Sequence, residues 1–377
     1  MAKDINTRLT RLRERRKGPD NVSMEAIAKA ATASLRPATV VTPEAWENRG
    51  GATQHWTRYA IGSMQAVSHR STEISLETGL RVADQLRDRL ARAGVHAEFR
   101  LQGSVPLNVH IQGVSDVDLL AISTELWTYD SSGAKARLGE YRNPSQKTSV
   151  QLLRELRQQV EADLPNAFPA AKVDTMGAKS VKASGGSLPR DVDVVPSHWH
   201  DTTSYQLSDR EMDRAVTIYN KKTGETIENR PFVHIDRIRS RCELIGGGLR
   251  KAIRLCKNIK ADSERGIQLS SFDIGAIMYH ADMNALRAGQ FTDLAVLAET
   301  QRHLDALYAN QALAESLMVP DGTRCIFDTP DKRAGLLGLS VEMDELLDNV
   351  FEENGAGLIG SALSRQLKRE RVSALAI

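Results

Sequence analysis

Two aspartates, Asp116 and Asp118, bracket Val117 and run into Leu119-Leu120, and eleven residues separate Asp116 from an upstream Gly103-Ser104. In an extended strand, residues i and i+2 point to one side, so the two carboxylates must project together from one face of a sheet. Held that close they repel one another and resist desolvation. A divalent cation removes both problems, and carboxylate oxygens suit the hard ion Mg²⁺. Gly103 lets the backbone approach a phosphate, and the Ser104 hydroxyl with neighbouring N–H groups can donate to its oxygens. Two metals that clamp the attacking and leaving oxygens of a phosphoryl transfer need a further carboxylate. The run Arg190-Asp191-Val192-Asp193-Val194-Val195-Pro196 offers two. Asp193 is the choice because it sits among valines, where a carboxylate without a role is costly, and Asp191 is the alternative.

A second set lies further on. Arg250, Arg254 and Lys257 fall at i, i+4 and i+7, one helical stripe opposite the apolar one, and a triphosphate suits three aligned cations. A solvated basic face is the plainer reading. Ser271-Phe272 offers a hydroxyl for phosphate and a ring on which a base can stack, although a core Phe is the commoner fate. His198 and His200 lack a Cys or carboxylate partner at zinc-ligand spacing, and Gly246-Gly247-Gly248 lacks the GK[ST] ending of a P-loop.

The elements that must hold these residues follow from periodicity. Leu76, Leu80, Ala83 and Leu90 lie near one face of a long helix, with Leu86 near its edge and Gly94 as its C-cap. Val95, Ala97, Phe99 and Leu101 alternate with polar residues as in a half-buried strand, and Val117 to Ile122 read as a second. Leu152, Leu153, Leu156, Val160 and Leu164 mark a helix that Pro165 is expected to stop. Lys172–Val181 and Arg190–Val195, joined through Ser184-Gly185-Gly186-Ser187, read as a hairpin. Beyond about residue 205 helical patterns take over, with a turn at Lys221 to Glu225. The order predicts an α+β protein: a helical lead-in over 1–70, a catalytic core over 71–205, and a helical domain over 206–377, two lobes around a cleft.

Length and composition bound the class. With 377 residues and 41% apolar content the chain can bury a sizeable core. It has no run of eighteen apolar residues, the first residues are charged, and Cys242, Cys256 and Cys325 are few and scattered, so a cytoplasmic protein without disulfides is expected. A formal charge of +2 is too small for an obligate DNA or RNA binder. Arg8, Arg11, Arg13, Arg15, Arg16 and Lys17 form a local exception: a solvated helix face, or a basic helix for an RNA primer or acidic partner.

Strand, GS turn, spacer, DVD and a later acidic strand together resemble the DNA polymerase β-like nucleotidyltransferase superfamily. Ser115 to Leu119 is similar to the SDxDL run, and Asp191 to Pro196 to the VDVVP strand, of the bacterial cGAS/DncV-like nucleotidyltransferases, or CD-NTases. That family makes cyclic oligonucleotide signals in anti-phage CBASS defence, and the likeness spans roughly residues 75–310. It implies a polymerase β-like core with two Mg²⁺, or Mn²⁺, on Asp116, Asp118 and Asp193, and a donor triphosphate on Gly103 and Ser104. Lys257 and Ser271 sit where the family places triphosphate contacts. Val109 stands where the family often has a Thr, and Leu107 where it often has a basic residue. The zinc insertion of the animal DNA sensor has no counterpart, so no obligate DNA activator is expected. The resemblance further implies NTP substrates, ATP among them, a monomer away from membranes, and a downstream effector that the chain does not bind. The same three aspartates also suit a linear oligonucleotide synthase, an RNA-tailing enzyme or a nucleotidylating enzyme, and a non-enzymatic adaptor could retain the fold.

Overall fold

The computed structural model describes residues 4–17, 44–355 and 363–377; residues 18–43 of the expected helical lead-in lie outside them. In chain order the elements used below are α1 (Ile5–Lys17), α2 (His55–Met64), α3 (His69–Arg92), β1 (Ala97–Gln102), β2 (Val117–Tyr129), α4 (Ser149–Ala167), β3 (Lys172–Asp174), β4 (Val181–Ser184), β5 (Val192–Asp201), β6 (Ala215–Asn220), β7 (Glu225–Asn229), α5 (Gly248–Asp262), α6 (Ser271–Tyr279), α7 (Asp293–Ala309) and α8 (Pro330–Asn354). The chain forms two compact units, one of residues 69–108 and 115–237, the other of 1–68, 109–114 and 238–377.

The first unit is built on a seven-stranded sheet in the order β1-β2-β5-β4-β3, with β6 pairing both β5 and β7. β2 and β5 run parallel; β1, β4 and β6 join them antiparallel. Alternation sends Val117, Leu119, Ala121, Val192 and Val194 into a core shared with α3 and α4, and Leu120, Ile122 and Val195 into another with Trp199, Val216 and Ile218. Gly94 ends α3 as expected, with φ +75° and the Val95 N–H donating to the Leu90 carbonyl at 2.9 Å.

Three expectations need correction here. On α3 the buried face runs through Ser75, Gly79, Val82, Leu86 and Leu90, so Leu86 is core while Leu80, one residue off that line, is 55% exposed. Pro165 lies inside α4, which continues to Ala167, so the helix gives up the one bond that an N–H at 165 would make to the carbonyl of Glu161 and ends two residues later. The sheet also does not end near 205, because the turn with Gly224 joins two strands, β6 and β7, and the unit runs on to Arg237. Ala215, Val216 and Ile218 are buried on β6, where β-branched residues favour a strand over the expected helix.

In the second unit the N-terminal segment is part of the helical packing, with Leu9 and Leu12 of α1 buried. Four arginines of its basic cluster are paired with carboxylates of the same unit. Arg8 pairs with Glu342 at 2.6 Å, Arg13 with Glu47 at 2.7 Å, and Arg16 with Glu44. Arg15 donates to both oxygens of Asp262 at 2.9 and 2.5 Å, and Tyr59 of α2 donates to the same carboxylate at 2.8 Å. No helix among the described residues is long and apolar enough to cross a membrane.

Candidate active site

The pairing register places Lys182 of β4 opposite Asp193 of β5, Asp193 opposite Asp118 of β2, and Asp118 opposite Gln102 of β1. Residues opposite one another share a face, so these four form one row across the sheet, on the side of Leu120 and Val195. Asp116, one residue before β2, joins the row through Lys182, whose Nζ lies 2.6 Å from its Oδ2. The same ammonium is 3.3 Å from Asp191 Oδ2. Asp193, and not Asp191, stands opposite Asp118 in the register.

Burial and then the negative charge of Asp116 raise the Asp193 pKa above the ordinary carboxylate value. Lys182 opposes that rise, as does the Ser180 hydroxyl, which donates to Asp193 Oδ1 at 3.2 Å. Burial pulls Lys182 down, but the hydrogen bond and charge of Asp116 outweigh it, and its pKa ends above the usual lysine value. Gly103 begins the turn after β1 with φ +74°, and a Cβ there would meet Asp118 Oδ2 at 2.1 Å. Ser104 follows it, half-buried.

Asp116, Asp118, Asp193, Gly103 and Ser104 thus belong to the sheet unit, and Lys257, Arg254, Ser271 and Phe272 to the helical one. The basic stripe on α5 is not an open face, because the helix is buried nearly all round. Arg254 is buried with its Nε on the Met64 carbonyl at 2.7 Å, and burial pushes its pKa down to about 10. Lys257 is buried too, its Nζ 2.9 Å from the Val109 carbonyl. Arg250 stays partly exposed, 3.9 Å from Glu243. Ser271, the first residue of α6, is exposed, and Phe272 is half-buried with the Arg324 guanidinium 5.4 Å from its ring centre. Leu107 and Val109, where the family often has polar residues, are buried. His198 is a core histidine, bonded to Ser149 and the Trp199 carbonyl, and burial lowers its pKa to about 4.

Lys182 and Ser180 were not singled out by the sequence. The signal was present in Val181-Lys182-Ala183, whose flanking residues are buried and whose lysine must face the other way. Only the hairpin register, set by a long turn with two left-handed glycines, reveals that it faces Asp193.

Three carboxylates on or beside one parallel strand pair, with a GS turn against Asp118, make the candidate site of a polymerase β-like fold. No family model matches the chain. It is 44% identical over 360 residues to the cyclic dinucleotide synthase CdnE of Yersinia aleksiciae, covering 93% of each chain. It is 34% identical over 312 residues to a c-di-GMP synthase of Capnocytophaga granulosa, covering 78% of this chain and 87% of that one. Its fold is similar to the structure of the STING-associated CdnE c-di-GMP synthase of Capnocytophaga granulosa, with a TM-score of 0.69 and 28% identity over 92% of this chain and 99% of that one. The chain belongs to the CD-NTase family of cyclic oligonucleotide synthases and is a nucleotidyltransferase.

Proposed function

We propose that this chain joins two NTPs into a cyclic dinucleotide that serves as a second messenger in anti-phage defence, using Asp116, Asp118 and Asp193. The row that sets Asp193 beside Asp118, with Asp116 tied in by Lys182, carries the reading. The ring size is supported by the name of the Yersinia relative, and guanine as one base by that of the Capnocytophaga relative.

The donor set fits a hard divalent cation, since oxygen ligands with an excess of negative charge suit Mg²⁺ or Mn²⁺. Among the described residues no three acidic, His or Cys side chains are already closed around a point, and an ammonium stands among the carboxylates. Asp116, Asp118 and Asp193 would hold two ions. When bound, these ions neutralise charge on the triphosphate and ease loss of the acceptor hydroxyl proton. Gly103 and Ser104 cradle the donor triphosphate, and Lys257 and Ser271 are the further triphosphate contacts that the family resemblance implies. Asp193, with its raised pKa, favours loss of the proton from a 2′- or 3′-hydroxyl, as a base or as a ligand. The hydroxyl oxygen bonds to the α-phosphorus, the bond to the leaving oxygen breaks, and pyrophosphate departs. A second attack of the same kind closes the ring. The chain works as a monomer on free NTPs without DNA, and its product acts on a downstream effector elsewhere.

Pyrophosphate release from mixed NTPs tests the chemistry. It should require Mg²⁺ or Mn²⁺, stop with a chelator, and be absent in Asp118→Asn and Asp193→Asn; full activity in either variant would remove the assignment.

A further inference from the structure

Lys182 lies on β4 between Val181 and Ala183, both buried in the core beneath the sheet, so its side chain leaves on the Asp193 side. There its ammonium meets Asp116 Oδ2 at 2.6 Å and Asp191 Oδ2 at 3.3 Å. The lysine is about one-third exposed, as is Asp116, so water reaches the pair and the contact can be exchanged. It supplies one positive charge among carboxylates that repel one another, the role a divalent ion fills with two. A Lys ammonium is a compact charge on a flexible stem and holds a carboxylate without fixing a coordination geometry.

We propose that Lys182 is a positioning residue and built-in counter-cation: it holds Asp116 at the carboxylate row while the site is metal-free, and it is displaced from Asp116 as metal is taken up. This rests on the reading of Asp116, Asp118 and Asp193 as metal ligands. Two consequences of opposite sign follow. Pre-ordering Asp116 favours metal, but Asp116 is one short side chain, and ordering it contributes little. Repulsion between the ammonium and a divalent ion on the same carboxylates outweighs that gain, so Lys182 lowers metal affinity. In exchange it keeps the like-charged carboxylates together before substrate and metal arrive.

Mn²⁺ binding to the nucleotide-free full chain, by titration calorimetry, separates the possibilities. Lys182→Met, and Lys182→Gln as a polar replacement should the first fold poorly, should bind Mn²⁺ on the order of tenfold more tightly than the parent. Both should melt lower than the parent without metal. Lys182→Arg, which keeps the charge, should stay near the parent in both respects. Unchanged or weaker Mn²⁺ binding in the folded Met or Gln variant overturns the inference, as does Arg behaving like Met. A parent protein whose Mn²⁺ binding is absent, or is unaffected by Asp118→Asn, overturns the metal reading itself.

Discussion

A Cβ built on Gly103 would stand 2.1 Å from Oδ2 of Asp118. The glycine is therefore required by the carboxylate beside it as well as by its φ of +74°. Gly103→Ala should fold with a loss of about 1 kcal/mol for the left-handed backbone. Its rate should fall on the order of a hundredfold, because a carboxylate moved by an ångström misplaces what it holds. Pyrophosphate release beside a thermal melt checks this; near-parent activity would mean that Asp118 can shift without consequence.

Asp193 should make the metal-free protein less stable as pH rises. Burial and Asp116 hold its native pKa above the ordinary value, so the folded state keeps the proton to higher pH than the unfolded chain does. The penalty appears as pH rises from the ordinary aspartate value, about 3.9, through the raised one. Asp193→Asn should thus melt higher than the parent at neutral pH without metal, and the two should converge as pH is lowered. A variant that melts lower at neutral pH contradicts the electrostatic account.

Arg13 and Arg15, both on α1, should differ sharply in their effect on stability. Arg15→Ala leaves the fully buried Asp262 without its bidentate partner, which should lower unfolding free energy by about 3 kcal/mol. Arg13 is 37% exposed, and Arg13→Ala should lose less than about 1 kcal/mol. Urea titration measures both. Equal losses would mean that α1 is held by something other than its buried pairs.

Lys257→Met should raise the KM for NTP and also destabilise the helical unit by about 1 kcal/mol, since it removes the donor to the buried Val109 carbonyl. A stability loss with an unaltered KM would make this lysine structural alone.

The carboxylate row was legible because its grammar is local: DVD in a strand fixes a shared face, and the valines around Asp193 mark it as a strand residue. The long helices α3 and α4 and the Gly94 cap were legible for the same reason. What escaped depended on partners distant in sequence. A helical count puts Leu80 on the apolar face and Leu86 near its edge, and only the strands beneath α3 reverse the two. Arg254 and Lys257 read as a basic stripe because the sequence does not disclose that α5 is packed on every side. Arg8, Arg13, Arg15 and Arg16 of α1 read as a free basic face because Glu44, Glu47, Asp262 and Glu342 lie far along the chain. Lys182 needed the hairpin register.

Chromatography and mass spectrometry of the products made by the purified chain from all four NTPs, with Mg²⁺ or Mn²⁺ and no added DNA or RNA, test the central claim most directly. The expected product is a cyclic dinucleotide that survives phosphatase, because a closed ring has no terminal phosphate, and it should disappear in Asp118→Asn. Product that is wholly phosphatase-sensitive, or that forms only when RNA is supplied, would contradict cyclic dinucleotide synthesis.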